Sequence, residues 1–477
     1  MNLLLFFGRT YADLVVVTAD VGAENLQLIF GGSAFVVDAQ NVITSGTVTG
    51  FGFADSDDTP LLAILDISVA ATSVYGAFAS ASVFDDVTLV GGLLTGNDIF
   101  LLSEFADNVS SGSGDDNIQT FGGNDTVFGE SGGDTVLGGT GDDMIFGQSG
   151  IDWLFGEGDD DTLDGGSGDD VLVGGTGSDT YNVDSSGDVI FEEGGDLDGA
   201  NSSAFLFFLW DGVEDLVLVE RSDAVYGVGN SAGNRIFGNA AVNALFGVDG
   251  NDSLNGAAGS DFLFGGAGND TLIGGASFDT DQLVGDEGND LLNAASGLGD
   301  FDLLYGGTGN DVYWVDTFAD ATDEGLFEGI DTVIAFIPDG GYFLYANVEN
   351  LTLGGTTSFG VGNDLANILT GNNSLNIFYG GEGNDTIDGG GGTDYLVGQG
   401  GADVFKLRPG TEFDWIVDFQ QGIDRIDLSA FGFTNTSQLA ARLTDFGGTA
   451  VVDLGDGDLL AIFGIAAASL TVGDFII

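Results

Sequence analysis

Residues 134–181 read DTVLGGTGDDMIFGQSGIDWLFGEGDDDTLDGGSGDDVLVGGTGSDTY. An aspartate returns here at every ninth position, at Asp134, Asp143, Asp152, Asp161, Asp170 and Asp179. Two residues after each stands an apolar side chain: Val136, Ile145, Leu154, Leu163, Leu172 and Tyr181. The register runs back without a slip through Asp125, Asp116 and Asp107 to Asp98. A period of nine matches neither the helix nor the single strand, so it counts turns of a larger coil. Three extended residues plus a six-residue turn make one unit, and two units make an 18-residue coil. The pattern predicts an all-β fold, a parallel β-roll built of stacked coils.

The fullest turns read Gly-Gly-x-Gly-x-Asp, with Gly138 and Gly141 before Asp143, Gly165 and Gly168 before Asp170, and Gly174 and Gly177 before Asp179. Later copies place Gly265 and Gly268 before Asp270, Gly306 and Gly309 before Asp311, Gly380 and Gly383 before Asp385, and Gly389 and Gly392 before Asp394. Glycine admits the sharp turn and close backbone approach. Aspartate carboxylates and glycine carbonyls together form an all-oxygen donor set for a hard cation of six to eight ligands, which favours Ca²⁺ over Mg²⁺. Zn²⁺ is disfavoured, because the chain has no cysteine or histidine. The expected ligands are Asp116, Asp125, Asp134, Asp143, Asp152, Asp161, Asp170 and Asp179, then Asp252, Asp261, Asp270, Asp281, Asp290, Asp302 and Asp311, then Asp385, Asp394 and Asp403, with the glycines named above. Roughly ten to twenty ions are expected. Asp98 reads as a solvated turn former, and Asp107, after the glycine-free LSEFAD, as a non-ligand. Asn234, Asn243, Asn367 and Asn376 stand in the aspartate position where later runs begin and read as hydrogen-bonded, metal-free turns.

The 477 residues carry 76 acids against 7 bases, a formal charge of −69. Nucleic acid and anionic membrane are excluded as electrostatic partners, and a compact fold needs cations to relieve its self-repulsion. Without histidine, HExxH zinc proteases and Ser-His-Asp triads are impossible. No run of 18 apolar residues suggests a membrane-spanning helix. The opening MNLLLFFGRT lacks a basic segment and reads as a buried strand rather than a leader peptide.

The nonapeptide series divides into blocks at 94–184, 229–316 and 362–405, separated by β inserts at 185–228 and 317–361. Residues 1–93 read as a β-rich domain, with alternation at 25–30 and 42–48, and 406–477 as a β-rich cap with a short helix at 437–443. The second and third blocks superpose at an offset of 133 residues, as in the paired Val-Glu-Asp-Leu-Val-Leu at 213–218 and Val-Glu-Asn-Leu-Thr-Leu at 348–353. One inward apolar residue per nine is a thin core, so folding is expected to be coupled to metal binding.

These motifs resemble the RTX (repeats-in-toxin) proteins secreted by Gram-negative bacteria. FDWIVDFQQGIDRIDLSAF at 413–431 is similar to the stretch after the β-roll in serralysin-type members, and Gly473-Asp474-Phe475-Ile476-Ile477 to their C-terminal type I secretion signal. The resemblance implies export through a type I apparatus, kept unfolded by low cytosolic calcium, and folding in the extracellular space or at the cell surface. The chain departs from the protease members in having no histidine, and from the pore formers in having Lys406 as its single lysine. The expectation is therefore a non-catalytic structural protein: an S-layer, surface filament or biofilm-matrix subunit forming homo-oligomers or polymers. The alternatives are an adhesin or glycan-binding protein using Trp153, Trp210, Trp314 or Trp415, and a hydrolase using paired carboxylates.

Overall fold

The computed structural model describes residues 96–97, 99–102, 106–192, 197–220, 224–275, 279–294, 301–410 and 412–477, and before them five strands between Leu14 and Leu89. The chain forms two compact units, Met1–Ala224 and Val225–Ile477.

In the first unit the nine-residue register becomes parallel pairing at a spacing of 18. Val136 lies beside Ile118 and Leu154, and Leu172 beside Leu154 and Ile190, in one sheet. Ile145 lies beside Val127 and Leu163, and Leu163 beside Tyr181, in the other. Strands are only three to six residues long, as in Met144–Phe146 and Val171–Thr176. Their middle residues are fully buried while the flanking ones face outward. The segment set apart as an insert continues the stack: Gly199–Ser202 pairs parallel with Thr180–Val183, and Asp215–Leu218 with Gly199–Ser202. Before the roll, Leu14–Val21 and Glu24–Gly31 form an antiparallel hairpin that includes the strand expected at 25–30. The opening apolar residues, the stretch 42–48 and Asp98 lie outside the described residues.

The second unit repeats the construction. Leu245, Leu263, Leu283 and Leu304 stack in one sheet, and Ile236, Leu254, Leu272, Leu292 and Tyr313 in the facing one. The partner spacing widens to 20 at Leu263 and Leu283 and to 21 at Leu283 and Leu304, yet the inward side of each strand is kept. Extra residues are thus taken up without moving a side chain to the wrong face. Thr332–Ala335 and Asn350–Leu353, from the second insert, stack in the same sheet.

At the end of this unit Phe413–Ile416 pairs with Tyr395–Gly400, and Arg425–Asp427 with Val404–Lys406, so the serralysin-like stretch adds further coils. The last strand, Phe475–Ile476, closes on Arg425–Asp427 of its own chain. The expected helix is confined to Thr436–Ala440, capped by the Asn435 side chain. Leu443–Asp445 instead pairs antiparallel with Ala450–Gly455, which ends the helix early. Among the described residues no helix is long and apolar enough to cross a membrane.

Candidate metal centre

The aspartates of the ladder are buried, each exposing 2% of its surface or less from Asp116 to Asp179. One carboxylate oxygen has a fixed task. Oδ1 accepts the backbone N–H of the aspartate one coil earlier: Asp125 from Asp107, Asp134 from Asp116, Asp143 from Asp125, Asp152 from Asp134, Asp161 from Asp143, Asp170 from Asp152 and Asp179 from Asp161, at 2.6–2.8 Å. In the second unit Asp252 and Asp261 accept from Asn234 and Asn243, and the chain continues through Asp270, Asp281, Asp290, Asp302 and Asp311. Asp385, Asp394 and Asp403 close the same bonds further on.

The other oxygen, Oδ2, is buried without a hydrogen-bond partner in Asp125, Asp134, Asp143, Asp152, Asp161 and Asp170, and again in Asp252, Asp261, Asp270, Asp290, Asp311, Asp385, Asp394 and Asp403. An unpaired buried polar atom costs about 1–3 kcal/mol, and a charged one more. Repeated at every coil, this is not a packing accident. It is a column of acceptors repeated from coil to coil.

The predicted glycines divide into two roles. Gly138, Gly165, Gly174, Gly265, Gly306, Gly380 and Gly389 each stand against the Oδ2 of the aspartate five residues on, so a Cβ there would fill the space in front of the carboxylate. At Gly138 the same space is bordered by the carbonyl oxygen of Gly156, one coil later. Gly141, Gly168, Gly177, Gly268, Gly309, Gly383 and Gly392 instead lie over backbone of the previous coil, as Gly168 does over the carbonyl of Gly150 with φ of +158°. The first set shapes a cradle, and the second lets the coils approach. Carboxylate oxygen, backbone carbonyl and a cradle that only glycine leaves open make a donor set that fits Ca²⁺.

The electrostatics agree. Burial, followed by neighbouring carboxylates, pushes Asp125 and Asp134 up to about 7 and Asp161 and Asp394 to about 8. A carboxyl raised in the folded chain favours folding in acid and penalises it as the pH climbs past its ordinary value toward the raised one. At neutral pH the metal-free ladder therefore opposes its own fold, and a divalent cation removes that opposition.

The asparagine turns are closed differently. Asn234 Oδ1 accepts from Asn230 N at 2.8 Å and its Nδ2 donates to Asn230 Oδ1 at 3.2 Å; Asn243 and Asn239 repeat this at 2.7 and 3.2 Å. Asn367 and Asn363 pair in the same way, whereas Asn376 accepts from Asn372 N but donates its Nδ2 to the carbonyls of Thr357 and Leu375. Asp107 is buried and donates its N–H into the ladder. Several ladder members escaped the sequence reading, each accepting the expected N–H: Asp198, Asp331, Asp414 and Asp424 because their spacing departs from the repeat, and Asp188 and Asp320 because, though they keep it, they fall in the segments set apart as inserts. Asp188 and Asp320 turn their Oδ2 onto local backbone, at Asp184 and Ser185 and at Asp316 and Thr317.

Outside the ladder, Trp153 is half exposed, Trp210 stands 6.3 Å from Phe191, and Trp314 5.8 Å from Phe336. Trp415 lies flat against Tyr395, with 6.2 Å between centroids and 5° between planes, and 5.0 Å from Phe413. Beside them the exposed Phe446 and Phe463 line an apolar groove with Thr449, Val451 and Ala461.

Comparison with known proteins bears on both halves of the structure. The RTX calcium-binding nonapeptide repeat matches at residues 101–136, 137–172, 146–181, 155–190, 228–263, 246–281 and 293–320. The peptidase M10 serralysin C-terminal family matches at 361–477. Two curated proteins of Rhizobium meliloti (strain 1021), the endo-1,3-1,4-beta-glycanases EglC and ExsH, are each 37% identical over 193 residues, 40% of this chain. The chain spans 38% of the length of each. The glycanase names correct the expectation that this chain is not an enzyme. That expectation rested on the absence of a recognisable catalytic constellation, whereas glycoside hydrolysis needs only a pair of carboxylates, which no spacing singles out among 76 acids. RTX repeats bind calcium, and both matched segments are typical of secreted proteins. The chain is an RTX protein with a serralysin-type C-terminal segment.

Proposed function

We propose that the chain is a calcium-folded protein that works outside the cell on β-linked glucan, with the solenoid as its export and folding module. The observation that carries the calcium part is the series of buried, partnerless Oδ2 atoms of Asp125, Asp134, Asp143, Asp152, Asp161 and Asp170, and of Asp252, Asp261, Asp270, Asp290, Asp311, Asp385, Asp394 and Asp403. In this reading the ladder aspartates and the cradle glycines hold roughly ten to twenty Ca²⁺ between successive coils. Extracellular calcium modules bind at about 10⁻⁴–10⁻³ M, so the chain stays unfolded in the cytoplasm, passes a type I apparatus, and folds on release.

The glycan part is supported by the names of the two Rhizobium proteins and by the aromatic face of the last coils. Tyr395 and Trp415 form a flat platform flanked by Phe413, Phe446 and Phe463. Flat apolar faces of pyranose rings pack on such platforms, and Trp and Tyr supply large contact area with a polar edge.

The test is affinity electrophoresis in mixed-linkage 1,3-1,4-β-glucan, with reducing-end release followed in parallel. Calcium-loaded protein should be retarded and EGTA-treated protein should not, and Trp415→Ala should weaken the retardation. Folded, calcium-loaded protein that neither binds the glucan nor releases reducing ends would remove the glycan part of the reading.

A further inference from the structure

Among the described residues, each unit contains one carboxylate cluster that the nonapeptide rule does not produce. In the second unit Asp311, Glu324 and Asp331 are all buried and bring their oxygens within 4.8 Å of one another. In the first, Asp179, Glu192 and Asp198 do the same, with Glu192 half-buried.

The glutamates occupy a telling register. Glu324 follows Gly306 by 18 residues and Glu192 follows Gly174 by 18. Each therefore stands where the next coil's cradle glycine belongs. In the ladder that glycine contributes a carbonyl, as Gly156 does over Gly138. Over Gly306 the neighbouring atoms are Asp311 Oδ2, the Tyr313 hydroxyl and Glu324 Oε1. A carboxylate has replaced the carbonyl.

The atoms are also left in need of a partner. Asp311 Oδ2 and Glu324 Oε2 are buried and make no hydrogen bond, and Asp198 Oδ2 is in the same state in the first unit. The free oxygen of Glu324 is available because its other oxygen accepts from the hydroxyl of Tyr313. Glu192 is held likewise by Tyr181. Both tyrosines are wholly buried and stand at the inward core position of the last nonapeptide of their runs, 94–184 and 229–316. The next acids up are taken into the same scheme, Asp198 N–H donating to Glu214 and Asp331 N–H to Glu349 at 3.0 and 2.8 Å.

We propose that Asp311, Glu324 and Asp331, and their counterparts Asp179, Glu192 and Asp198, form two terminal Ca²⁺ sites that bind more tightly than the repeat sites and close the runs of nonapeptides that end at Asp311 and at Asp179. The inference rests on the calcium reading of the ladder. Its reason is charge: a repeat site is bounded by an aspartate and a backbone carbonyl, whereas a terminal site gathers three carboxylates. For Ca²⁺ held by oxygen ligands, affinity rises with the number of charged ligands and the rigidity of the site. The tyrosine is a positioning residue, fixing the glutamate as outer partners fix metal ligands elsewhere.

The experiment is a competition titration of the full chain with Ca²⁺ against a chromophoric chelator, with far-UV circular dichroism at saturating calcium to establish folding. The wild type should show a tight class of two ions ahead of the repeat sites. Glu324→Gln and Glu192→Gln should each remove one tight ion, and the double variant both, while the weaker class remains. Tyr313→Phe, which keeps every carboxylate, should weaken one tight site about tenfold. A double variant that folds and keeps the tight class overturns the inference while leaving the ladder intact. A wild type that binds no calcium overturns the ladder reading itself. If a glutamine variant does not fold at saturating calcium, Tyr313→Phe decides, and an unchanged affinity there counts against the site.

Discussion

The turn ending at Asp143 and the turn ending at Asn243 follow a glycine at the same distance, Gly138 and Gly238, and each leads into a strand paired in parallel with its neighbours. They satisfy their buried side chains by opposite means. Asn243 closes on Asn239 with two hydrogen bonds. Asp143 spends Oδ1 on the Asp125 N–H and leaves Oδ2 bare. The shape of the coil is common to both; only the asparagine turn is complete without an ion. A solenoid can therefore mix turns that fold unaided with turns that wait for calcium, and the ratio sets how strictly folding depends on the outside of the cell.

Removing calcium should break this comparison open most widely. With EGTA the aspartate coils lose the ions that offset their charge, and far-UV circular dichroism should collapse cooperatively. Hydrogen exchange should speed up most at Thr135–Thr140, Trp153–Gly158 and Val171–Thr176. Arg235–Phe237, between the Asn234 and Asn243 turns, should keep more protection. Uniform loss at both places would mean that asparagine closure contributes no independent stability.

Next in size is Asp143→Asn, measured in urea at high calcium. The amide has no second free oxygen for an ion, and Gly139 supplies no side chain to accept its N–H₂ as Asn239 does. An ion with a Kd of about 10⁻⁴ M contributes about 2.7 kcal/mol at about 10 mM calcium, and a loss of that order is expected. The difference from wild type should vanish in EGTA.

The converse, Asn243→Asp, should be smaller and opposite in its calcium dependence. A carboxylate there still accepts from Asn239 N, but its second oxygen faces Asn239 Oδ1 across what is now a 3.2 Å hydrogen bond. About 1–3 kcal/mol should be lost in EGTA, and added calcium should restore part of it. Chemical denaturation at both calcium levels reads the two values.

Much of this contrast was legible in the sequence, because a nine-residue register fixes both the inward residue and the turn. The aspartate ladder and the asparagine exceptions needed only spacing. What was not legible depends on the neighbouring coil. The division of labour between Oδ1 and Oδ2 is set by an N–H 18 residues earlier in the ladder, and a single turn shows no sign of it. Asp198 and Asp331 follow their ladder partners by 19 and 20 residues, which hides them from a strict count. Glu192 and Glu324 keep the spacing of 18 but carry the wrong residue type, so a search for glycine passes over them. Function was the least legible part, since with 76 acids no carboxylate pair stands out by composition.

The smallest expected effect lies where one unit passes from asparagine to aspartate turns. The residue after each cradle glycine adopts the left-handed conformation, Gly139 at φ +110° and Gly266 at +106°. The first aspartate turn of the second unit has Val248 at this place, at φ +93°. For an L-residue this region costs roughly 1–2 kcal/mol, and branching at Cβ sharpens the clash. Val248 is 43% exposed, so little packing is lost with its side chain. Against that gain stands the greater freedom of glycine in the unfolded chain, about 0.5–1 kcal/mol. Val248→Gly should therefore stabilise the calcium-loaded protein by up to about 1 kcal/mol, read as a higher urea midpoint. The gain should persist in Asp143→Asn, whose site lies in the other unit. A destabilised variant would mean that the valine methyl groups hold this turn against its neighbours more firmly than its backbone strain opposes it.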